Sequence, residues 1–130
     1  MFRIAICEDD AGDKSRFQEQ INAYATVHPG LLSWNFFSNA EELETVLVRQ
    51  KVHFDAYFLD IMMPGKNGVE LARQLKKANG AANIVFLSSL SDYVEESYAL
   101  GVVYYMLKPV QQDKLFALLD KLTALPHRET

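Results

Sequence analysis

The chain has 130 residues, of which 49% are hydrophobic and 23% charged, the size and composition of one globular domain. Its formal net charge of -4 excludes the strongly basic surface of a nucleic-acid-binding domain. The single cysteine, Cys7, excludes an internal disulfide, and no apolar run reaches the roughly 18 residues of a membrane span. We therefore expect a soluble, cytoplasmic domain that contacts neither membranes nor, directly, nucleic acid.

Short apolar runs alternate along the chain with longer segments of helical spacing. The runs typical of strands occupy residues 2–7, 31–37, 54–59, 83–87 and 103–107. Residues 38–41 have the spacing of a capping box at the start of the second helix, and the fourth helical segment starts near residue 91. The helical positions, in chain order, are Phe17, Ile21, Tyr24 and Ala25; Leu43, Val46 and Leu47; Gly68, Leu71, Ala72 and Leu75; Tyr93, Ser97 and Leu100; and Leu115, Leu118, Leu119, Leu122 and Leu125.

This alternation predicts an α/β fold of the (βα)5 type. Strands one, three and four are almost wholly apolar, which is typical of a parallel sheet covered by helices on both faces. Because right-handed crossovers leave few arrangements, we expect a doubly wound, five-stranded parallel sheet in the order 2-1-3-4-5. Ligands of such flavodoxin-like sheets bind beyond the carboxyl ends of the strands.

Polar residues directly follow four of the five predicted strands. Since the carboxyl ends of parallel strands meet at one edge of the sheet, we expect these side chains to converge. In chain order they are Glu8, Asp9 and Asp10 after the first strand, Asp60 after the third, Ser88 and Ser89 after the fourth, and Lys108, followed by Pro109, after the fifth.

Carboxylates gathered at one place repel each other, and a hard divalent cation relieves that repulsion. Mg²⁺ prefers oxygen ligands and usually takes one or two carboxylates together with waters and a phosphate. Asp9 and Asp60 could bind it directly, Glu8 could act through a water, and the backbone carbonyl of Met62 could complete the set. The sequence therefore predicts a magnesium site.

Lys108 and Ser88 add a cation and a hydroxyl to the acidic group. Such groups are needed where negative charge must be held, as on the equatorial oxygens during phosphoryl transfer. A carboxylate can itself be the nucleophile and form an acyl phosphate. Asp60, at the end of the central strand, is the best candidate for that acceptor.

Four segments occur in order: CEDD at 7–10, FLDIMMPGKNGVE at 58–70, VFLSS at 85–89 and YYMLKP at 104–109. Together they resemble the receiver domains of two-component response regulators, and the likeness extends from about Arg3 to Leu122. The stretches IAICEDD and LGVVYYMLKP are most similar to the subgroup whose receivers precede a LytTR-type DNA-binding domain, as in LytR-like and AgrA-like regulators.

The resemblance assigns roles to individual residues. Asp60 matches the phosphoacceptor, and Lys108 matches the lysine that contacts the phosphoryl group. Ser88 matches the hydroxyl that follows the phosphate, with Ser89 as the alternative if the register differs by one. Tyr105 matches the aromatic switch residue. Glu8 and Asp9 match the acidic pair that binds Mg²⁺, and the Lys108–Pro109 peptide bond is expected to be cis.

Three residues depart from the family's commonest pattern. Glu8 stands where Asp is more usual, Ser88 where Thr is more usual, and Tyr104 where the subgroup often has an acid. All the required chemical groups remain, although Glu8 bears on the metal geometry and Ser88 on switching. Asp10 and Asp13 are interpreted as acids that cap the first helix.

The resemblance implies a phosphorylation-driven switch rather than an enzyme. A sensor histidine kinase would phosphorylate Asp60 with Mg²⁺, and the face formed by helix four, strand five and helix five would change and could form a homodimer. The alternatives are a pseudo-receiver that signals without phosphate, a flavodoxin-type binding module and an aspartyl-nucleophile phosphohydrolase. The acidic first loop argues against flavodoxin-type phosphate binding. Met62 stands where a phosphohydrolase would carry its second aspartate.

The domain organisation follows from the position of the last helical segment. Residues 1–124 are predicted to form the receiver domain, and residues 125–130, with Pro126, to begin a linker or tail. We expect the chain to be a fragment of a longer regulator rather than a stand-alone receiver. Any transcription-regulating, DNA-binding output would then lie outside these residues.

Overall fold

The computed structural model describes residues 1–124 as five strands and five helices that alternate along the chain. The strands are β1 Phe2–Cys7, β2 Leu32–Phe37, β3 Ala56–Asp60, β4 Ile84–Ser88 and β5 Tyr104–Leu107. The helices are α1 Ala11–Val27, α2 Ala40–Arg49, α3 Gly68–Ala78, α4 Val94–Leu100 and α5 Gln112–Thr123. All neighbouring strands are parallel, and their order is β2-β1-β3-β4-β5, which confirms the predicted fold.

Two hydrophobic clusters cover the two faces of the sheet. One contains Tyr57 and Leu59 of β3 and packs under α2 and α3, whereas Phe58 points to the other cluster, under α1 and α5. Because side chains alternate along a strand, an all-apolar strand buries both of its faces. Cys7 is fully buried, as a strand residue should be, and burial raises the pKa of its thiol to about 12.

The boundaries of several elements differ from the sequence prediction. β3 begins at Ala56 rather than 54, and both β3 and β4 extend one residue further to include Asp60 and Ser88. The fourth helix begins at Val94 rather than near residue 91. Leu125, predicted to continue the stripe of α5, and the predicted linker lie outside the described residues.

The predicted start of α2 was wrong by one residue. Asn39, not Ser38, is the N-cap, and its side-chain oxygen accepts a hydrogen bond from the Glu42 N–H at 2.9 Å. A full capping box occurs instead at α3, where Asn67 and Glu70 each accept a hydrogen bond from the other's backbone N–H. Asn is as favourable an N-cap as Ser. The sequence alone therefore did not distinguish a helix capped by Asn39 from one capped by Ser38.

Candidate functional site

The carboxyl ends of β1 and β3 bring the predicted acidic residues together. Glu8 directly follows β1, and Asp60 is the last residue of β3; they are 2% and 4% exposed. Carboxylate oxygens of Glu8, Asp9 and Asp60 all lie within 4.8 Å of one another. Only Asp9 of the three is exposed. Two buried carboxylates and one accessible carboxylate at this spacing match the oxygen ligands that Mg²⁺ prefers.

The backbone of the next loop fixes the Asp60 carboxylate. The N–H of Met62 donates to Asp60 Oδ1 at 3.2 Å, and the Met62 side chain is exposed. Gly68, the first residue of α3, lies so close that a Cβ there would be 2.5 Å from the carbonyl oxygen of Asp60. The glycine therefore allows α3 to begin directly against the end of β3. The role of the Met62 carbonyl as a metal ligand stays a prediction.

Lys108 reaches into the acidic group from the end of β5. Its Nζ lies 2.7 Å from Glu8 Oε1, 3.0 Å from Asp13 Oδ2 and 3.4 Å from Asp60 Oδ2. The Lys108–Pro109 peptide bond is cis, as predicted. The ammonium is the cation that partly balances the buried carboxylates, which are costly to bury without a partner.

This arrangement shifts the pKa values of both partners. Burial and then the neighbouring Glu8 carboxylate raise the pKa of Asp60, Lys108 opposes the shift, and the resulting pKa is about 7. Burial lowers the pKa of Lys108, but hydrogen bonds to Glu8 and Asp13 and the nearby negative charges outweigh burial and raise it. Lys108 is therefore charged at neutral pH, whereas the pKa of Asp60 without a metal lies close to neutral pH.

Asp13 does more than the predicted helix capping. Asp10 is the N-cap of α1, as expected, and its side chain accepts a hydrogen bond from the Asp13 N–H at 2.8 Å. The Asp13 carboxylate turns toward the site, where Oδ2 binds Lys108 and Oδ1 pairs with Arg16. Burial raises the pKa of Asp13, but Lys108 and then Arg16 outweigh burial and hold it below its usual value.

The main chain at Leu90 joins Ser88 to Tyr105. Ser88 is 1% exposed, and its Oγ accepts a hydrogen bond from the Leu90 N–H at 3.0 Å. The Tyr105 hydroxyl donates to the Leu90 carbonyl oxygen at 2.5 Å, while its ring packs edge-on against Phe86. The two predicted switch residues are thus linked through one residue. Ser89, the alternative to Ser88, is exposed and lines a cavity together with Asp60 and Lys108.

A cavity of about 480 Å³ opens over the acidic group. The start of α1 forms one wall, and the ends of β3, β4 and β5 form the others. Asp60 and Lys108 both face it, so an incoming anionic group would meet the candidate nucleophile and the cation together. Its lining residues are Asp9, Asp10, Asp13, Arg16, Asp60, Met62, Ser89, Lys108 and Pro109.

Residues 4–120 match the family model for the response regulator receiver domain. The chain belongs to this family. This match confirms the resemblance seen in the sequence. Receiver domains are generally the signalling switches of two-component systems. Within residues 1–124, no helix of this receiver domain combines the length and the apolar character needed to cross a membrane.

The curated relatives of the receiver domain are longer proteins, and the chain matches only a part of each. Protein MrkE of Klebsiella pneumoniae is 29% identical over 111 residues, which cover 85% of this chain and 40% of MrkE. Sensory transduction protein LytR of Streptococcus mutans is 30% identical over 103 residues, covering 79% of this chain and 40% of LytR. The chain spans between 27% and 49% of the length of such relatives. The match to LytR agrees with the predicted LytTR-type subgroup.

Solved structures share the fold. The response regulatory domain of MrkE has a TM-score of 0.82 at 27% identity, covering 94% of this chain and 95% of that chain. TrrA of Thermotoga maritima, solved in complex with Mg(2+)-BeF, has a TM-score of 0.78 at 24% identity, covering 94% and 99%. The likeness to TrrA supports the fold of the receiver domain.

Proposed function

We propose that this receiver domain accepts a phosphoryl group on Asp60 from the phosphohistidine of a sensor histidine kinase. The observation that carries the proposal is the position of the Asp60 carboxylate, between the Lys108 ammonium at 3.4 Å and the acidic residues Glu8 and Asp9. An Asp60 oxygen attacks phosphorus, a P–O bond forms, and the P–N bond to the kinase histidine breaks. The product is an acyl phosphate.

Bound Mg²⁺ would supply charge neutralisation of the phosphoryl oxygens. Asp9 and Asp60 would hold it directly, Glu8 through a water and Met62 through its carbonyl. Lys108 would donate to a phosphoryl oxygen, which replaces the Asp60 oxygen as its partner. The Met62 N–H holds Asp60 Oδ1 and so orients the carboxylate toward the cavity.

The phosphoryl group would then act on Ser88. A hydrogen bond from its hydroxyl to a phosphoryl oxygen moves Ser88 inward, and the Leu90 main chain links that movement to Tyr105. New charge-assisted bonds favour one of two conformations, so phosphorylation shifts a population. On this proposal the domain is a switch, whose only chemistry is its own phosphorylation and dephosphorylation.

The face that would change carries exposed apolar side chains. β5 is one of the two edge strands of the sheet, and nearly nine-tenths of Tyr98 on α4 is exposed. Patches of this kind mark protein contacts. We propose that this α4–β5–α5 face forms a homodimer after phosphorylation. Its exposed apolar residues are Leu90, Val94, Tyr98, Val103, Tyr104 and Leu107.

The proposed output would lie outside this chain. Relatives include Transcriptional regulatory protein MalR of Bacillus subtilis, which is 38% identical over 64 residues, 27% of its length. We propose a transcription-regulating, DNA-binding domain outside this chain and a cytoplasmic location, where the kinase domain would meet Asp60.

The decisive experiment is intact mass spectrometry after incubation with acetyl phosphate, with and without Mg²⁺. We expect a Mg²⁺-dependent gain of one phosphoryl group (~80 Da) that disappears in Asp60→Ala. Asp113→Ala is the matched control, because Asp113 is an exposed aspartate in the first turn of α5. A gain that survives Asp60→Ala would assign a different acceptor. No gain from acetyl phosphate or from a phosphorylated kinase would favour a pseudo-receiver.

A further inference from the structure

The Lys108 ammonium is shared by more carboxylates than the proposed function uses. An ammonium has three N–H donors, and three carboxylates lie within 3.4 Å of Nζ, those of Glu8, Asp13 and Asp60. Glu8 and Asp60 have roles in metal binding and phosphoryl acceptance. Asp13 has none, although its bond to Lys108 is shorter than the bond of Asp60. Its contact therefore needs a separate explanation.

Asp13 occupies a different position from the other two carboxylates. It lies in the first turn of α1, and its side chain is 23% exposed, against 2% for Glu8 and 5% for Asp60. Its second oxygen pairs with Arg16, whose side chain also lines the cavity. The candidate metal group consists of Glu8, Asp9 and Asp60. Asp13 is thus a counter-ion for two cations at the mouth of the cavity.

We propose that Asp13 is a positioning residue that holds Lys108 back from the acceptor until a phosphoryl group competes for the ammonium. The inference rests on the proposed function of Asp60. Three carboxylates surround an ammonium that has three donors, so a contact with a phosphoryl oxygen requires one of them to be exchanged. If a phosphoryl oxygen replaces only the Asp60 oxygen, the ammonium is still held by Asp13 of α1 and by Glu8 after β1.

Asp13 is the second partner that can give way. Water can solvate its partly exposed carboxylate, and Arg16 remains as its partner after Lys108 leaves. Glu8 is buried and would be left as an uncompensated charge. Releasing Asp13 therefore costs less than releasing Glu8. Without Asp13, the ammonium would already be free to meet an incoming phosphoryl group.

Asp13→Asn tests this with little change of shape. The matched control is Asp10→Asn, which removes the same charge from a residue that lines the same cavity. Asn keeps the N-cap hydrogen bond that Asp10 makes, since both residues cap helices well. The comparison separates loss of the Lys108 contact from loss of negative charge near an anionic donor. Thermal unfolding midpoints of both variants check that the fold is kept.

Two measurements are made on the chain and on both variants. The first is the acetylation rate of Lys108 by an amine-reactive reagent without Mg²⁺, read by peptide mass spectrometry, with exposed Lys121 as internal reference. The second is the rate of Mg²⁺-dependent phosphorylation by acetyl phosphate. For Asp13→Asn we expect both rates to rise roughly 2- to 5-fold, the value of one partly exposed ion pair, and to exceed those of Asp10→Asn.

The outcomes separate this proposal from the proposed function. An unchanged Lys108 acetylation rate in Asp13→Asn overturns the proposal, whatever phosphorylation does. Faster acetylation with phosphorylation no faster than in Asp10→Asn also overturns it, because the ammonium is then freed without consequence. If neither the native chain nor Asp13→Asn takes up phosphate while acetylation accelerates, the proposed function itself fails, and the contact is a structural ion pair.

Discussion

Two neighbouring parts of the domain differ in how firmly they are held. The acceptor half, β3 with α3, has a strand buried throughout and an 11-residue helix with a capping box. The α4–β5 half has a 7-residue helix without a side-chain cap and a 4-residue edge strand in which only Met106 is buried. Asp60, at the end of β3, and Lys108, directly after β5, both line the cavity, so the difference is not one of distance from the site.

The comparison separates chemistry from response. The proposed phosphoryl transfer needs a nucleophile held by packing and by fixed backbone, and the Met62 N–H holds the Asp60 carboxylate in this way. A response needs a segment whose opening costs little, because parts that move come from the least stable regions. The acceptor half should therefore react strongly to small changes, whereas the α4–β5 half should tolerate them.

The largest expected effect is on stability as a function of pH. The pKa of Asp60 is about 7 in the fold against 3.8 ordinarily, so between these values the folded chain binds more protons than the unfolded chain. Stability without metal should fall by a few kcal/mol as pH rises from 4 to 7. Asp60→Asn should lack that fall, and urea unfolding in a chelator, from pH 4 to pH 8, measures it.

The control for the pH experiment is Asp113→Asn, which alters an exposed aspartate. Its pH profile should run parallel to that of the native chain. If the free energy of unfolding of the native chain, relative to Asp60→Asn, stayed constant over this range, folding would not raise the pKa of Asp60. Saturating Mg²⁺ should reduce the fall, because it neutralises the same carboxylates.

A methyl group at position 68 should disturb the acceptor half next most strongly. In Gly68→Ala the new Cβ would lie 2.5 Å from the Asp60 carbonyl oxygen and 2.9 Å from Ile61 Cα, both backbone atoms. We expect a loss of roughly 1–3 kcal/mol in the free energy of unfolding, measured in urea. Gly80→Ala, where nothing lies within 4 Å of the new Cβ, is the control and should be near neutral. Equal effects at both positions would contradict the close approach.

Removing one hydroxyl should affect the α4–β5 half less. Tyr105→Phe loses the hydrogen bond to the Leu90 carbonyl oxygen but keeps the ring against Phe86. We expect a loss of about 1 kcal/mol or less in the free energy of unfolding. Tyr104→Phe, at the adjacent and more exposed tyrosine, is the matched control. A loss above that of Gly68→Ala would reverse the contrast between the halves.

The smallest change in stability is expected on α4. Tyr98 is 88% exposed, so Tyr98→Ser should alter the free energy of unfolding by less than about 0.5 kcal/mol. It should nevertheless weaken self-association of the phosphorylated chain, measured by sedimentation velocity. Val48→Ser, at a 75% exposed position on α2, removes an apolar side chain elsewhere and should leave association unchanged. Equal association of both variants would place any dimer contact elsewhere.

Most of the fold and much of the site followed from the sequence. Apolar runs predicted all five strands, and the convergence of polar residues at strand ends predicted that Asp60, Glu8 and Lys108 would meet. These successes share a cause: burial imposes a periodicity on each element, and parallel topology then fixes which ends adjoin. The strand ends themselves were less certain, as the inclusion of Asp60 and Ser88 within strands shows.

The features that the sequence did not reveal depend on the direction of a side chain or on the hydrogen bonds of the main chain. Asp13 and Lys108 are 95 residues apart, and an acid in a first helical turn is typical of capping, so its turn toward the lysine left no pattern. Its place in the first turn of the helix after β1, beside the carboxyl edge of the sheet, is the only signal that the sequence offers. The uncapped start of α4 was equally hidden, because Ser91 and Asp92 offer plausible caps that the structure does not use.

The hydrogen bonds at Leu90 have a consequence for how this domain can vary. The connection between Ser88 and Tyr105 is made by the N–H and carbonyl of one residue, not by its side chain. The side chain at position 90, which is 41% exposed, can therefore be substituted to fit a different partner while both main-chain hydrogen bonds are kept. Proline is the exception, since it removes the donor on the Ser88 side and leaves the acceptor on the Tyr105 side. If the proposed switch operates, partner specificity and signal transmission would depend on different atoms of the same residue.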